Sequence, residues 1–188
     1  MSWTELVGNV LCLDFANSVN RRPDPERDWL AEPDGLGRWA VHAGVDAARR
    51  RTGPDDAALL ADARALRDAV HRTFSAVASG KDPAAADLAV IAEQYAAGVA
   101  AARLTGGGSA SYTMVWPRQP GHRQVLWAVA DSAVELLRHG PLDRVGECPS
   151  CTWLFLDTSR NGRRRWCSMA TCGNQSKSAR HYARTSRG

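Results

Sequence analysis

Lysine is nearly missing from this chain. Of its 24 Lys+Arg residues only Lys81 and Lys177 are lysines. A coding bias toward arginine gives that pattern as readily as selection for phosphate binding, so the placement of the arginines carries more weight than their number. Long apolar runs are missing as well. No stretch nears the ~18 consecutive apolar residues of a membrane span. The N-terminal residues lack a basic segment ahead of an apolar one, so neither a span nor a signal peptide is expected. Enzyme signatures are absent too. There is no H-E-x-x-H, no nucleophilic-serine motif and no Cys–His pair with an orienting acid. The run Gly106–Ser109 lacks the lysine of a phosphate loop and follows a predicted helix, not a strand. A non-enzyme is expected, in a reducing cytoplasm where thiols persist.

What is present is an ordinary folded composition with one unusual end. Hydrophobic residues make up 44% and charged residues 23% of the 188 positions, enough for one domain and a small appendage. Four of the five cysteines fall in two close pairs, Cys148-Pro149-Ser150-Cys151 and Cys167 with Cys172. Such spacing brings four thiolates round one ion and leaves no open coordination position, as in a structural zinc site. Thiolates are soft donors, which favours zinc over hard cations. Free thiols and disulfides are the competing readings. Disulfides call for an oxidising compartment, and a redox C-x-x-C would follow a strand and open a helix. One structural Zn2+ on Cys148, Cys151, Cys167 and Cys172 is therefore expected.

Between the pairs, Trp153–Leu156 reads as a strand, the segment to Asn161-Gly162 as a turn, and Arg163–Trp166 as the return strand. Phe155 and Trp166 would shield the ion, because so small a unit cannot bury enough surface alone. Beyond Cys172, Lys177, Arg180, Arg184 and Arg187 share one face of a predicted helix, with Ala179 and Tyr182 on the other side. Charge is divided accordingly. Residues 148–188 carry eight Lys+Arg against Asp157 alone, a net +7, which leaves −3 for the first 147 residues and +4 for the chain. A basic, metal-held segment on a mildly acidic body is the footprint of a polyanion binder.

These residues carry a resemblance. Cys148-x2-Cys151, then Phe155-x-Asp157-x-Ser159-Arg160, then Arg165-Trp166-Cys167-Ser168-Met169-x2-Cys172-Gly173-Asn174, is similar to the CGNR zinc-finger family. Leu13-Asp14-Phe15-Ala16-Asn17-Ser18 resembles the opening of the ABATE domain, which precedes that finger in such chains. The resemblance implies a bacterial stress-related transcription regulator with DNA binding through the finger. Gln175 stands where the family places an arginine, so a charge-assisted contact there becomes at most a neutral hydrogen bond.

The body reads as mainly α (α+β): a helical domain over 1–143 with a small β-hairpin or sheet, followed by a treble-clef-like finger over 144–188. Leu11, Leu13 and Phe15 alternate with Cys12 and Asp14, which suits a strand or a buried helix start. Cys12 is expected to be a small core residue. Asp14 and Asn17 are candidate ligand-pocket residues, with helix capping as the competing role. Leu59, Ala63, Leu66, Val70, Phe74 and Val77 mark a long amphipathic helix, opened by Asp55 and Asp56 and stopped at Gly80. His71 falls off that stripe and reads as exposed. Asp82-Pro83 should start the next helix, with Leu88, Ile91, Tyr95, Val99 and Ala102 on its buried face. Ser111–Pro117 reads as a strand able to pair near Leu11. Val125 to Leu137 forms a broadly apolar, hence central, helix.

The functional expectation is a zinc-binding, DNA-binding regulator. Its body would serve as a sensor of an unidentified effector or as a dimerisation module, so a homodimer is an expected state. Arg160, Arg163, Arg164, Arg165, Gln175, Lys177, Arg180 and Arg184 are the candidate nucleic-acid contacts. Structured RNA and an acidic partner protein are the alternatives.

Overall fold

A computed structural model describes residues 5–20, 22–23, 25–45, 57–106, 112–117 and 122–178. Asp55, Asp56, Ala179, Arg180, Tyr182, Arg184 and Arg187, which figure in the sequence reading, lie outside the described residues. The elements in order are α1 (Leu11–Ala16), α2 (Gly35–His42), α3 (Ala57–Ala78), α4 (Ala85–Ala101), β1 (Arg103–Gly106), β2 (Tyr112–Val115), α5 (Arg123–His139), β3 (Val145–Glu147) and β4 (Leu154–Leu156). None of the described helices is long and apolar enough to cross a membrane.

The first segment is a helix rather than a strand. Cys12, Leu13, Phe15 and Ala16 are all fully buried, at spacings of one, three and four that belong to one helical face. Six residues enclosed on nearly every side show no clean period, so alternation and helical spacing were indistinguishable. Helix α3 buries Leu59, Ala63, Leu66, Val70 and Phe74 along the expected stripe. It also buries Arg67, which donates to Asp28 and, at 3.1 Å, to Asp68. Gly80 ends the helix with φ 68°, a left-handed conformation that glycine adopts without strain.

Helix α4 is rotated from its expected face. Its buried residues are Asp87, Ile91 and Gly98, while Leu88 and Val99 are exposed. Two contacts set this rotation. Asp87 receives a bidentate pair from Arg72 of α3, with Nε 3.0 Å and 3.1 Å from its two oxygens. Gly98 packs against Trp127 of α5, where an added Cβ would approach the Trp127 Cβ to 2.9 Å. An ion pair and a close backbone approach outweigh the apolar stripe. The helix begins at Ala85, beyond the Asp82-Pro83 start read from sequence.

Strand β2 pairs with β1, not with the segment near Leu11. The register sets Leu104 opposite Met114 and Arg103 opposite Val115. Helix α5 buries Val125, Leu126, Val129, Ala130, Ala133 and Leu136 and is the central helix of the body.

The finger region also differs from expectation. Strand β4 pairs antiparallel with β3, which precedes the first cysteine pair, and residues 163–165 form no strand. The C-x-x-C turn itself joins the two strands, with the Cys148 N–H donating to the Trp153 carbonyl at 2.8 Å and the Thr152 N–H to the Cys148 carbonyl at 2.9 Å. The Asn161-Gly162 segment is claimed by Asp157, whose carboxylate accepts from the Ser159 N–H at 2.8 Å and the Arg164 N–H at 2.7 Å. That loop closes on a side chain and needs no hairpin.

Strand β4 serves two cores. Leu154 and Val145 join the large apolar cluster of the helical body. Trp153 and Phe155 join a second cluster made with the four paired cysteines. Successive strand residues point to opposite faces, so one short strand is buried against both.

Candidate metal centre and basic face

The site is assembled from two loops. The β3–β4 turn supplies Cys148 and Cys151. The second pair comes from the loop after Arg164 and from a π-helical turn, Met169–Gly173, that runs on as α-helix through 174–178. The four Sγ atoms all lie within 4.8 Å of one another, and each cysteine is buried. Cys151 and Cys167 are 3.4 Å apart and Cys167 and Cys172 3.6 Å apart. A disulfide holds its sulfurs at ~2.05 Å. Ligands at about 2.3 Å from a central ion stand about 3.8 Å from each other at the corners of a tetrahedron. The spacing is that of a four-cysteine site, and it fits one structural Zn2+.

Hydrogen bonds from the Cys151 and then the Cys167 thiol push Cys148 below the ordinary thiol range. The same bonds push Cys151 and Cys167 up. Four sulfurs this close share little negative charge by themselves. A divalent cation is what allows all four to ionise, so binding it releases protons. Cys12 has no part in this. Complete burial pushes its thiol up to about 12, and it packs in the helical core.

A Cβ on Gly173 would meet the Met169 Sδ at 2.8 Å and the Trp166 Cδ1 at 3.4 Å, so a side chain after Cys172 would require the exposed Met169 side chain to shift. Trp166 and Val7 pack on the outside of the cysteine cluster.

Arg164 is turned inward. Its Nε donates to the Trp166 carbonyl at 3.1 Å, and its Nη2 donates to the Val7 carbonyl at 3.0 Å and to the Cys167 carbonyl. Its guanidinium lies 4.5 Å from the Phe155 ring centroid. Three carbonyls and an aromatic face occupy this group, so it holds the finger together and is not presented to a phosphate. Arg160, Arg163, Arg165, Gln175 and Lys177 are exposed, and Arg165 lies over the Trp166 ring at 5.3 Å. Arg180 and Arg184 lie outside the described residues.

Asp14 and Asn17 are both committed to structure. Asn17 is 6% exposed and bonds Leu154 twice, its Nδ2 donating to the Leu154 carbonyl and its Oδ1 accepting the Leu154 N–H, each at 2.8 Å. The Asp14 carboxylate accepts the Gly8 N–H at 2.8 Å. Neither caps a following helix. Sequence reading also missed Asn9, whose Nδ2 donates to the Leu156 carbonyl at 2.9 Å, and Arg144, whose Nη1 donates to the Ser159 carbonyl at 2.9 Å. No local pattern marks contacts between residues so far apart.

Burial raises the Asp14 carboxyl from 3.8 to about 6, against the Gly8 hydrogen bond that lowers it. The folded form therefore binds the proton more tightly than the unfolded chain. The resulting stability is complete below the unfolded value of 3.8 and is lost as pH rises through about 6. Asp14→Asn is expected to remove this dependence, gaining roughly 1–3 kcal/mol on the wild type between pH 4 and pH 7. Urea unfolding of both proteins at the two pH values checks it, and parallel pH profiles would rule Asp14 out as the cause.

Two family models match the chain. Residues 9–140 match ABATE, described as "Putative stress-induced transcription regulator". Residues 144–185 match the CGNR zinc finger. Among curated proteins none matches the chain.

Proposed function

We propose, from the premise that this chain belongs to the ABATE family and carries a CGNR zinc finger, that it is a DNA-binding transcriptional regulator acting through that finger. The observation that carries the proposal is the exposed set Arg160, Arg163, Arg165 and Lys177 on a segment held by one metal site, on a stretch of net charge +7. Phosphates would meet these side chains. Gln175, exposed on the helical turn after Cys172, offers an amide that pairs with adenine in a major groove. Arg180 and Arg184 extend the same set in sequence. The chain is proposed to be a binding protein without a reaction of its own, working in the cytoplasm, with the helical body as sensor or dimerisation module.

Affinity for duplex DNA should fall steeply with salt. Replacing Arg160, Arg163, Arg165 and Lys177 together by alanine should cut the slope of log K against log salt by about 0.9 per lost contact. Arg164→Ala should instead lower thermal stability, because its partners are the Trp166 and Cys167 carbonyls of the finger and the Val7 carbonyl of the N-terminal segment. Fluorescence anisotropy with a 20–30 base-pair duplex across a salt series reads the first effect. An unchanged slope in the fourfold variant would sink the assignment. Tighter binding to a structured RNA competitor would move the function to RNA. No nucleic-acid binding at moderate salt, with zinc present, would leave an acidic partner protein.

A further inference from the structure

The loop after α1 and one face of α3 enclose a cavity of ≈ 390 Å³, within the size range of small-molecule sites. Val19, Pro23 and Pro25 give it an apolar wall, while Arg22, Arg67, Arg72 and His71, with the carboxylates of Asp28 and Asp68, line the rest. The guanidiniums here are not equally employed. Arg67 pairs with Asp28 and Asp68, and Arg72 pairs with Asp87. Arg22 donates Nη2 to the Ala16 carbonyl at 2.9 Å and lies 3.6 Å from Asp68, but its Nη1 is shut from solvent and has no hydrogen-bond partner among the described residues. Burial, and then the charge of Arg67, lower the Arg22 pKa to about 10, against the charge and hydrogen bond of Asp68 and the charge of Asp28, which raise it. Arg22 thus keeps one buried donor without an acceptor among the described residues, beside a cavity.

The same walls grip the finger. The Val19 carbonyl accepts the Trp153 indole N–H at 2.8 Å, and the His71 Nε2 donates to the Thr152 carbonyl at 3.0 Å. Those two residues follow Cys151 directly, and Thr152 holds a left-handed φ of 61°. One bond comes from the loop wall and one from the helix wall. A change in the distance between the walls reaches the zinc loop through both.

We propose that this cavity binds a small organic anion, a carboxylate or phosphate head on Arg22 with an apolar body against Val19, Pro23 and Pro25, and that its occupancy is coupled to the zinc loop. An acceptor on Arg22 draws the loop toward α3, and the Trp153 and Thr152 contacts tighten with it. By linkage, a state of the finger that favours the closed walls raises anion affinity.

The test uses the full, zinc-loaded chain without nucleic acid, so it stands apart from the DNA reading. Benzoate, phenyl phosphate and neutral benzamide are titrated by calorimetry, and the Trp153 indole N–H is followed by NMR with Trp153→Phe as its assignment. Saturable binding of benzoate or phenyl phosphate, none of benzamide, and a saturating shift of the indole signal are expected; which anion binds separates a carboxylate from a phosphate effector. Arg22→Gln should weaken binding about tenfold or more. Should that variant fail to fold, Arg22→Lys, which keeps the charge but loses the planar fork, carries the comparison. No saturable binding of either anion, or binding indifferent to Arg22, overturns the site. Binding that leaves the Trp153 indole unmoved overturns the coupling.

Discussion

Cys172→Ser is expected to abolish zinc retention and to lower the melting temperature of the whole chain, not of the finger alone. Cys172 is 1% exposed and supplies the one ligand carried on the π-helical turn. Structural zinc in small fingers contributes apparent binding free energies of about 10–16 kcal/mol, and that energy is folding energy. The apolar cluster around the cysteines, chiefly Trp153, Phe155 and Trp166, is too small to replace it. Phe155 and Trp153 flank Leu154, which belongs to the helical core, so disorder at the metal removes support from α1 and α3. Metal analysis and circular-dichroism melting with and without a chelator read the two effects. One zinc per chain in Cys172→Ser, or a melting curve unmoved by chelator, would refute the organising role given to the metal.

Acidification should act as a milder chelator. The ligands bind zinc as thiolates, and protons compete for them as pH falls. This loss has the opposite sign to the Asp14 effect, which favours the fold as pH falls toward 3.8. The Asp14→Asn comparison separates them, because both proteins share the same four thiols.

The metal ligands were legible in the sequence because their chemistry is local. Spacing alone sets Cys148 beside Cys151, and Cys167 near Cys172. The resemblance to the ABATE and CGNR families was legible for the same reason, in short unbroken motifs. The strand partner of β4 was not. Asn161-Gly162 is a strong hairpin signal, but the Asp157 carboxylate had already organised that loop, and the C-x-x-C turn offered Val145–Glu147 a closer pairing. Arg164 shows the same limit among the basic residues. Its neighbours Arg163 and Arg165 are exposed, and nothing in the run of three tells which one turns in to the Val7 and Cys167 carbonyls. Helix α4 was misplaced by rotation because the Arg72–Asp87 pair and the Gly98–Trp127 approach are tertiary facts.

Asn17→Ala should loosen the finger from the body while leaving zinc in place. The ladder with β3 satisfies one edge of β4, and no strand among the described residues pairs with the other. There the Leu156 N–H donates to the Gly8 carbonyl at 2.9 Å, Asn9 takes the Leu156 carbonyl, and Asn17 takes both polar groups of Leu154. A side-chain amide thus does the work of a third strand. Leu154 is fully buried, so no water replaces the lost partners. Stranding a buried N–H and a buried C=O costs about 1–3 kcal/mol each, or roughly 2–6 kcal/mol for the pair. Asn17→Asp supplies the sharper comparison, because it keeps the acceptor for the Leu154 N–H but sets a carboxylate oxygen against the Leu154 carbonyl. It should be at least as destabilising as alanine, although it differs by a single group. Chemical denaturation measures both, with zinc content as the control. An Asp variant as stable as wild type would mean that the Nδ2 bond to Leu154 does not hold the two parts together.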